Sequence, residues 1–323
     1  MTATRELGLA LQTDKPVGRY AALARAAEEA GFDVVTTFND LWFQPALPAL
    51  LEVAQATSRV RVGPSCLNPF TLHPVEIAGQ IAALDRASHG RAYLGLAAGA
   101  WLETLGLESR RPLGTVREAW EVVRRLFAGD TTGFAGEHFT LPPGARLRYD
   151  VERPEVPLLV GTWSAGLARF AGASASELKV GGSANPAIVR VMRERIGNGD
   201  VGIVLGAVTV VDDDGDRARA LARREVAMYV DVVGPYDPTI EEPELLSRIG
   251  TLVARGEHEA AGALLPDDVF GRFAFAGTPA EVAAQAADVL DAGALRVEFG
   301  TPHGITETRG IDLLCRDVLP RLR

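Results

Sequence analysis

Short apolar runs alternate with helix-length, alanine-rich segments along most of this chain. Eight such runs lie at residues 7–11, 33–37, 60–63, 92–97, 157–161, 178–182, 201–211 and 295–300. Segments with the apolar spacing of a helix lie at residues 20–30, 47–56, 77–87, 116–127, 165–173, 185–196 and 279–291. This alternation is typical of a parallel sheet flanked by helices. Eight strands predict closure into a (β/α)8 TIM barrel, an α/β fold whose active site lies at the C-terminal ends of the strands.

The chain is longer than such a barrel needs. It has 323 residues, whereas a typical barrel has about 250, so roughly 70 should be insertions within a single domain. Residues 128–155 are rich in glycine, proline and aromatic residues and carry hairpin-like signals. Residues 217–277 are charged and have a helical pattern. We expect the insertions in these two segments.

Composition excludes several classes of function. The net charge of −9 argues against a nucleic-acid or anionic-membrane partner, because both need a basic surface. Only two cysteines, Cys66 and Cys315, accompany five scattered histidines, which is neither a disulfide framework nor a metal-binding pattern. No stretch has 18 consecutive apolar residues, and residues 1–6 lack the apolar core of a signal peptide. We therefore expect a cytoplasmic protein that acts on a small molecule.

The loop after the third predicted strand is unusually long. Residues 62–74 read VGPSCLNPFTLHP and lie between a strand end and the helix that starts near Glu76. Loops of this strand-to-helix kind face the active site of a barrel. Residues 62–74 are therefore expected at the functional end of the fold.

Several short motifs, spread in order over nearly the whole chain, resemble a known family. They are residues 5–11, AEEAGFD at 27–33, GP at 63–64 with NP at 68–69, LD at 84–85 with SHGRA at 88–92 and LGL at 94–96, and GTP at 277–279. Each is weak alone, but their joint order is specific. Together they resemble the bacterial-luciferase-like superfamily, and within it the coenzyme F420-dependent branch typified by methylenetetrahydromethanopterin reductase. The resemblance implies a luciferase-like barrel, usually a homodimer, that holds a flavin or deazaflavin.

The resemblance also implies a cis peptide bond between Ser65 and Cys66, forming a bulge against the ring of the cofactor. It makes Ser65, Cys66 and Asn68 candidate cofactor-binding residues. Without the family context, Ser65 and Cys66 have the simpler interpretation of an ordinary loop start with a buried thiol.

Two glycine-containing strand-to-helix turns are candidates for the phosphate end of the cofactor. The candidate residues are Gly161, Thr162, Trp163, Ser164, Ala165 and Gly166 in the first turn, and Gly181, Gly182 and Ser183 in the second. Ser164 is placed to cap the following helix, where backbone N–H groups and the helix dipole favour an anion. The family places phosphate contacts on the same two loops. The alternative is that both are only tight turns.

The loop after the second strand departs from the family. F420-dependent members generally carry an Asp-His pair here, contacting the ring, whereas this chain has Asn39-Asp40. Asp40 is a candidate acid or base if the neighbouring Leu41, Trp42 and Phe43 raise its pKa, and Asn39 a candidate cofactor contact. The alternative for Asp40 is a turn or cap residue before the helix near Pro45.

A second departure concerns the substrate. The methylene-pterin reductases use a glutamate on the first strand and an aspartate after the fourth, where this chain has Ala10 and Ala100. Pterin reduction is therefore not expected. Trp42, Trp101 and Trp163 fall on loops at one predicted face, so Ala10, Trp42, Ala100 and Trp101 are candidates for the substrate pocket. The alternative is that the tryptophans plug the barrel mouth or form a dimer contact.

Two further residues are weaker catalytic candidates. His73 lies at the start of the third helix, pointing into the pocket or capping that helix. Glu103 follows the fourth strand and is either a general base or a solvated side chain.

Three functions follow from these observations. The first is an F420-dependent oxidoreductase that moves a hydride between deazaflavin C5 and a small organic substrate. The alternatives are a monooxygenase that uses reduced FMN and a flavin-binding protein without turnover. We expect F420 in preference to FMN, because the resemblance is to the F420 branch.

We also expect a homodimer formed through residues 47–56 and 77–87. The exposed faces of these two helices are expected to be rich in small residues that allow close approach, namely Ala49, Ala54, Ala78, Gly79, Ala82 and Ala83.

Overall fold

A computed structural model describes residues 5–323 of the chain. Residues 1–4, which belong to the segment 1–6 judged above for a signal peptide, lie outside the described part. The strands are β1 (Glu6–Leu11), β2 (Val34–Thr37), β3 (Arg61–Pro64), β4 (Leu94–Ala97), β5 (Phe134–Ala135), β6 (Thr140–Leu141), β7 (Leu158–Gly161), β8 (Glu177–Gly181), β9 (Gly202–Val211), β10 (Ala274–Gly277) and β11 (Arg296–Gly304). The α-helices are α1 (Arg19–Ala30), α2 (Ala46–Ala56), α3 (Pro74–Ala87), α4 (Pro112–Phe127), α5 (Ala165–Ser174), α6 (Pro186–Ile196), α7 (Gly215–Val233), α8 (Pro243–Ala254), α9 (His258–Ala263), α10 (Asp267–Phe270), α11 (Pro279–Asp291) and α12 (Glu307–Leu313). None of these helices is long and apolar enough to cross a membrane.

Eight parallel strands form a nearly closed ring in the order β3-β2-β1-β11-β9-β8-β7-β4. Two isolated parallel bridges, Val62 to Ala92 and Leu67 to Leu96, join the β3 and β4 edges and complete it. Helices follow the strands and cover the outside with a continuous apolar layer. The predicted (β/α)8 barrel is confirmed, and its eight strands are the eight runs predicted from the sequence.

The two predicted insertions have different structures. Residues 128–155 contain the antiparallel pair β5 and β6, in keeping with the hairpin-like signals. Residues 217–277 hold most of α7 and all of α8 to α10, packed on a second apolar cluster that includes Val226, Ile249 and Phe273. The expectation of a wholly helical second segment is wrong at its end, because β10 pairs with β9 along Val208–Val211. The division into one barrel domain and two insertions stays a prediction.

The interior of the barrel is ionic. Arg296 is fully buried on β11, and its guanidinium contacts the carboxylates of Glu6, Glu177 and Glu298 at 2.9, 2.5 and 2.9 Å. Space for the Glu298 side chain comes from Gly8 on the neighbouring strand β1. A Cβ on Gly8 would lie 2.7 Å from Cγ of Glu298. Each buried charge therefore has a partner of opposite charge, which is required because an unpaired ion would be very costly in the barrel interior.

The reasoning behind the dimer surface is wrong in one respect. Of the six small residues expected on exposed faces of α2 and α3, four are buried within the subunit: Ala49, Ala54, Ala78 and Ala82. They face the sheet because the apolar stripe of each helix runs through them. Gly79 is half-buried and Ala83 is exposed. Homodimer formation itself stays a prediction.

Removing the Arg296 guanidinium should destabilise the fold strongly. Arg296→Met leaves three carboxylates without their shared cation, and breaking a buried ion pair in this way costs about 3–5 kcal/mol. Arg190→Met, which removes an exposed pair with Glu194, should change the free energy of unfolding by less than ~1 kcal/mol. Urea denaturation at neutral pH measures both, and equal stability of the two variants would contradict the ionic account of the interior.

Candidate active site

A cavity of about 1080 Å³ opens at the C-terminal ends of the strands. Its floor includes Ala10, Ser65, Lys179 and Glu298, its sides Phe38, Asp40 and Trp101, and one wall is formed by α7. Pockets for small ligands are typically about 300–1,000 Å³. The cavity therefore has room for a cofactor ring and a small partner at the face where barrels of this kind carry out their chemistry.

Lys179 forms the charged centre of the floor. Its Nζ donates a hydrogen bond to Ser65 Oγ at 2.6 Å and is ion-paired with the fully buried Glu298. It also lies 5.5 Å from the centre of the Phe38 ring. Burial alone would raise the pKa of Glu298, but the adjacent charges of Lys179 and Arg296 hold that pKa below its usual value. The cavity floor thus carries the Lys179 ammonium group, held in place by Glu298 and Ser65.

Sequence reasoning missed Lys179 and Glu298. A signal was present, because the charged pairs Glu177 with Lys179 and Arg296 with Glu298 each occupy alternate positions of an apolar strand. Alternate residues of a strand share a face. The spacing therefore predicts that each pair shares one face of its strand, and the fold shows that this face is the barrel interior.

The Ser65–Cys66 peptide bond is cis, as the resemblance implied. Cys66 is a free thiol, and burial raises its pKa to about 11. Its sulfur packs against β7, since a Cβ on Gly161 would lie 2.8 Å from Sγ. Asn68 Oδ1 accepts hydrogen bonds from the backbone N–H groups of Phe70 and Thr71, at 3.1 and 3.0 Å. These contacts fix the bulge and the loop behind it.

Asp40 lies in the cavity wall and is not the helix cap. Gln12 Nε2 donates to its Oδ2 at 2.9 Å, while Asn39 Oδ1 accepts from the N–H of Ala46 at the start of α2. Burial raises the pKa of Asp40, opposed by the Gln12 hydrogen bond and the charge of Lys179. Of the neighbours expected to bury it, Phe43 lines the cavity with Asp40, whereas Trp42 is 78% exposed.

The two glycine turns differ in what they offer an anion. In the first, Ser164 caps α5 by accepting from the N–H of Leu167 at 3.3 Å, as predicted. In the second, the N–H groups of Gly182 and Ser183 already donate to the Gly206 carbonyl, at 2.7 and 3.1 Å. These two N–H groups are therefore already used within the protein.

Gly181 has no structural reason to be glycine. Its φ lies outside the left-handed range, and a Cβ there would meet no protein atom within 4 Å. The residue lines the cavity, so a side chain would project into it. The open space at Gly181 therefore favours a ligand that passes close to this turn.

Some of the predicted site residues line the cavity and others do not. Ala10, Trp101, Gly181 and Gly182 line the cavity with Ser65 and Asp40; the lining does not include Asn39, Trp42, Cys66, Asn68, His73, Ala100, Glu103, Ser183 or the Gly161–Gly166 turn. His73 has the capping role, because its Nδ1 accepts from the N–H of Val75 at 3.2 Å. Trp163 Nε1 donates to the Gly181 carbonyl at 3.0 Å and ties the two turns together. Glu103 is exposed. The functional roles of all these residues stay predictions.

Comparison with known proteins identifies the family. Residues 1–296 match the family model described as luciferase-like monooxygenase. The chain belongs to this family. The predicted superfamily is therefore confirmed, and with it the expectation of an oxidoreductase.

Several relatives match over nearly their whole length. The chain is 26% identical to a 5,10-methylenetetrahydromethanopterin reductase of Methanolobus tindarius, covering 97% of this chain and 99% of the relative. It is 27% identical to an F420-dependent glucose-6-phosphate dehydrogenase of Kineococcus radiotolerans, covering 95% and 93%.

Solved structures show the same fold. The coenzyme F420-dependent tetrahydromethanopterin reductase of Methanopyrus kandleri superposes with a TM-score of 0.89 at 24% identity, covering 99% of this chain and 100% of that one. The monooxygenase RslO1 of Streptomyces bottropensis gives a TM-score of 0.70 at 21% identity, covering 98% and 100%.

Asp40→Asn should stabilise the protein at neutral and alkaline pH. The folded state raises the pKa of Asp40, so the carboxyl favours folding while protonated and loses that contribution as pH rises through its folded-state pKa. The amide never ionises and avoids the loss. The gain in free energy of unfolding should be present near pH 8 and absent near pH 3.5.

Urea denaturation at both pH values measures this difference. Asp200→Asn, at an exposed position in the loop before β9, serves as the control for the substitution of an aspartate outside the cavity. A stabilisation by Asp40→Asn that grows toward low pH would have the wrong sign for a carboxyl with a raised pKa.

Proposed function

We propose that the protein is an F420-dependent oxidoreductase that transfers a hydride between the deazaflavin and a small organic substrate other than a methylene-pterin. The observation that carries the proposal is the cavity floor, where the Ser65–Cys66 bulge and Lys179 meet at the C-terminal ends of the strands. Relatives named as F420-dependent enzymes match more than nine-tenths of the chain.

The residues present fit a flat cofactor with an anionic tail. Ser65 and Cys66 would support the ring, and Gly181 leaves the space that a side chain would fill. The N-terminus of α5, capped by Ser164, would receive the phosphate end, because helix N-termini favour anions. When bound, the deazaflavin supplies a carbon that accepts or donates a hydride.

The chain itself contributes orientation and a proton site. Phe38, Trp101 and Ala207 give the cavity apolar sides that exclude water. The Asp40 carboxyl, whose pKa is raised by burial, holds its proton at a higher pH than an exposed aspartate does. A group of this kind in the cavity wall is suited to exchange a proton with substrate oxygen or nitrogen.

The substrate differs from that of the methylene-pterin reductases. Ala10 lines the cavity and Ala100 directly precedes Trp101, which also lines it. Because both residues are alanine, neither position provides a carboxylate. An FMN-dependent monooxygenase is the second candidate, favoured by the description of the family. A binding protein without turnover is disfavoured by the oxidoreductases among its relatives.

Cofactor titration decides between the two leading functions. F420 and FMN are each titrated against the intrinsic fluorescence of the protein, with the expectation that F420 binds at least ~10-fold more tightly. Tighter binding of FMN would overturn the F420 assignment and favour the monooxygenase.

Gly181→Leu should weaken F420 binding at least ~10-fold, the equivalent of about 1.4 kcal/mol, with little effect on thermal stability, because its side chain would project into open space. Gly271→Leu at the exposed end of α10 is the matched control and should bind normally. Normal binding by Gly181→Leu would remove this turn from the cofactor site.

Asp40→Asn should keep F420 affinity and lose turnover. An acid or base group contributes about 10²- to 10⁴-fold to the rate. The rate of F420 reduction is followed by absorbance with a panel of secondary alcohols, and the reverse reaction with the matching ketones. Unchanged turnover with a substrate of the wild type would exclude Asp40 as the proton carrier.

A further inference from the structure

One side of the cavity is formed by α7 and by parts of residues 14–19 and 300–307. We call this side the α7 lobe. Its α7 residues are Leu221, Arg224, Glu225, Met228, Tyr229 and Val233. It touches the second candidate phosphate turn, since a Cβ on Gly182 would lie 3.0 Å from the Tyr229 ring and 3.5 Å from Val233, and it extends from there toward the ends of β1 and β11. A cofactor tail on the first turn, after β7, would leave free the part of the lobe around Leu221 and Met228, because the residues of that turn do not line the cavity.

Helix α7 presents two different faces. Ala218, Ala222 and Val226 are fully buried in the second apolar cluster. The lobe face carries Leu221, Met228 and Val233, and Met228 remains 40% exposed. Ile305 adds further apolar surface to the same lobe. Removing apolar surface from water by covering it with an apolar ligand is favourable, so these side chains favour an apolar occupant.

The cations of the lobe are already paired. Lys15 Nζ lies 2.8 Å from Glu307 and 2.7 Å from Asp14. Arg19 lies 3.6 Å from Glu307, and Arg224 lies 3.1 Å from Glu225. Three carboxylates thus match three cations in the lobe. An anionic ligand would have to displace one of these carboxylates or be buried beside it.

We propose that the α7 lobe binds a neutral, mainly apolar substrate and discriminates against phosphorylated or carboxylated molecules. This assignment of substrate class rests on the proposed function, because it places the substrate beside the cofactor ring. Selection comes from two features together, the apolar face of α7 and the prior pairing of every lobe cation with a carboxylate.

A pair of probes that differ only in charge tests the proposal. The neutral fluorescent probe N-phenyl-1-naphthylamine is bound to the protein and displaced by 1-octanol, by octanoate, or by glucose 6-phosphate. We expect 1-octanol to displace the probe at a concentration at least ~10-fold lower than octanoate, a difference of about 1.4 kcal/mol. Glucose 6-phosphate should not displace it. Displacement by octanoate or glucose 6-phosphate as effective as that by 1-octanol would overturn the proposal.

Two variants locate the binding. Met228→Asp places a carboxylate on the lobe face and should weaken the binding of 1-octanol at least tenfold. Ala220→Asp places the same group at an exposed position on α7 outside the cavity lining and should have no effect. Equal affinities of the two variants for 1-octanol would show that the probe binds elsewhere and would overturn the assignment.

A third variant tests the role of pairing. Glu307→Gln releases Lys15 and Arg19 from their shared carboxylate, so octanoate should bind at least fivefold more tightly. The affinity for 1-octanol should change less than twofold. No gain for octanoate would contradict the claim that pairing excludes anions.

All measurements are made with and without saturating F420, whose binding is titrated separately. Selective 1-octanol binding in a protein that fails to bind F420 would refute the proposed function and keep the lobe assignment. F420 binding without selectivity for 1-octanol would refute the lobe assignment and keep the proposed function.

Discussion

The buried guanidinium of Arg296 is the interaction on which the rest of the site depends. It gathers three carboxylates in the barrel interior, and one of them, Glu298, carries the charge on to Lys179. At the N-terminal ends of the strands, Arg61 forms ion pairs with Glu6 and Glu177 at 2.5 and 2.7 Å. Buried ion pairs contribute little net stability compared with apolar packing. Their evident result here is geometric, since they fix an ammonium group 2.6 Å from Ser65 Oγ at the cavity floor.

The ring of strands separates the cavity into regions with different chemistry. The floor is charged but paired, the turns after β7 and β8 are small and open, and the α7 lobe is apolar with paired charges at its edge. The turn after β7 lies away from β1 and β11 in the strand order, whereas the turn after β8 adjoins α7 at Tyr229. Cofactor and substrate can thus be bound by separate elements of one barrel.

Much of the fold could be predicted from sequence because the pattern is repeated. Eight apolar runs separated by alanine-rich segments define the ring, and residue order at Ser164 predicts its capping role. Strand β10 was missed because its residues, Ala274–Gly277, directly follow a charged segment with a helical pattern and were assigned to that segment. The burial of Ala49 and Ala78 was missed because alanine is compatible with either face of a helix. Packing decides between the two faces, and a single sequence does not contain that information.

The site was predicted less completely than the fold. The cis bond at Ser65–Cys66 came from the family resemblance and is confirmed. Lys179 and Glu298 were missed because charged residues in a strand suggest a solvent-facing side until the register shows that they face the interior. The capping role considered for Asp40 belongs to Asn39, since only the folded loop shows which oxygen reaches the N–H of Ala46.

Hydrogen–deuterium exchange with and without F420 tests the central claim, that the cofactor binds over the Ser65 and Lys179 floor. The account predicts that F420 slows exchange in peptides covering residues 62–70 and 177–184, while residues 128–155 keep their rates. Protection confined to residues 128–155 or to the outer helices, or no protection at saturating F420, would contradict it.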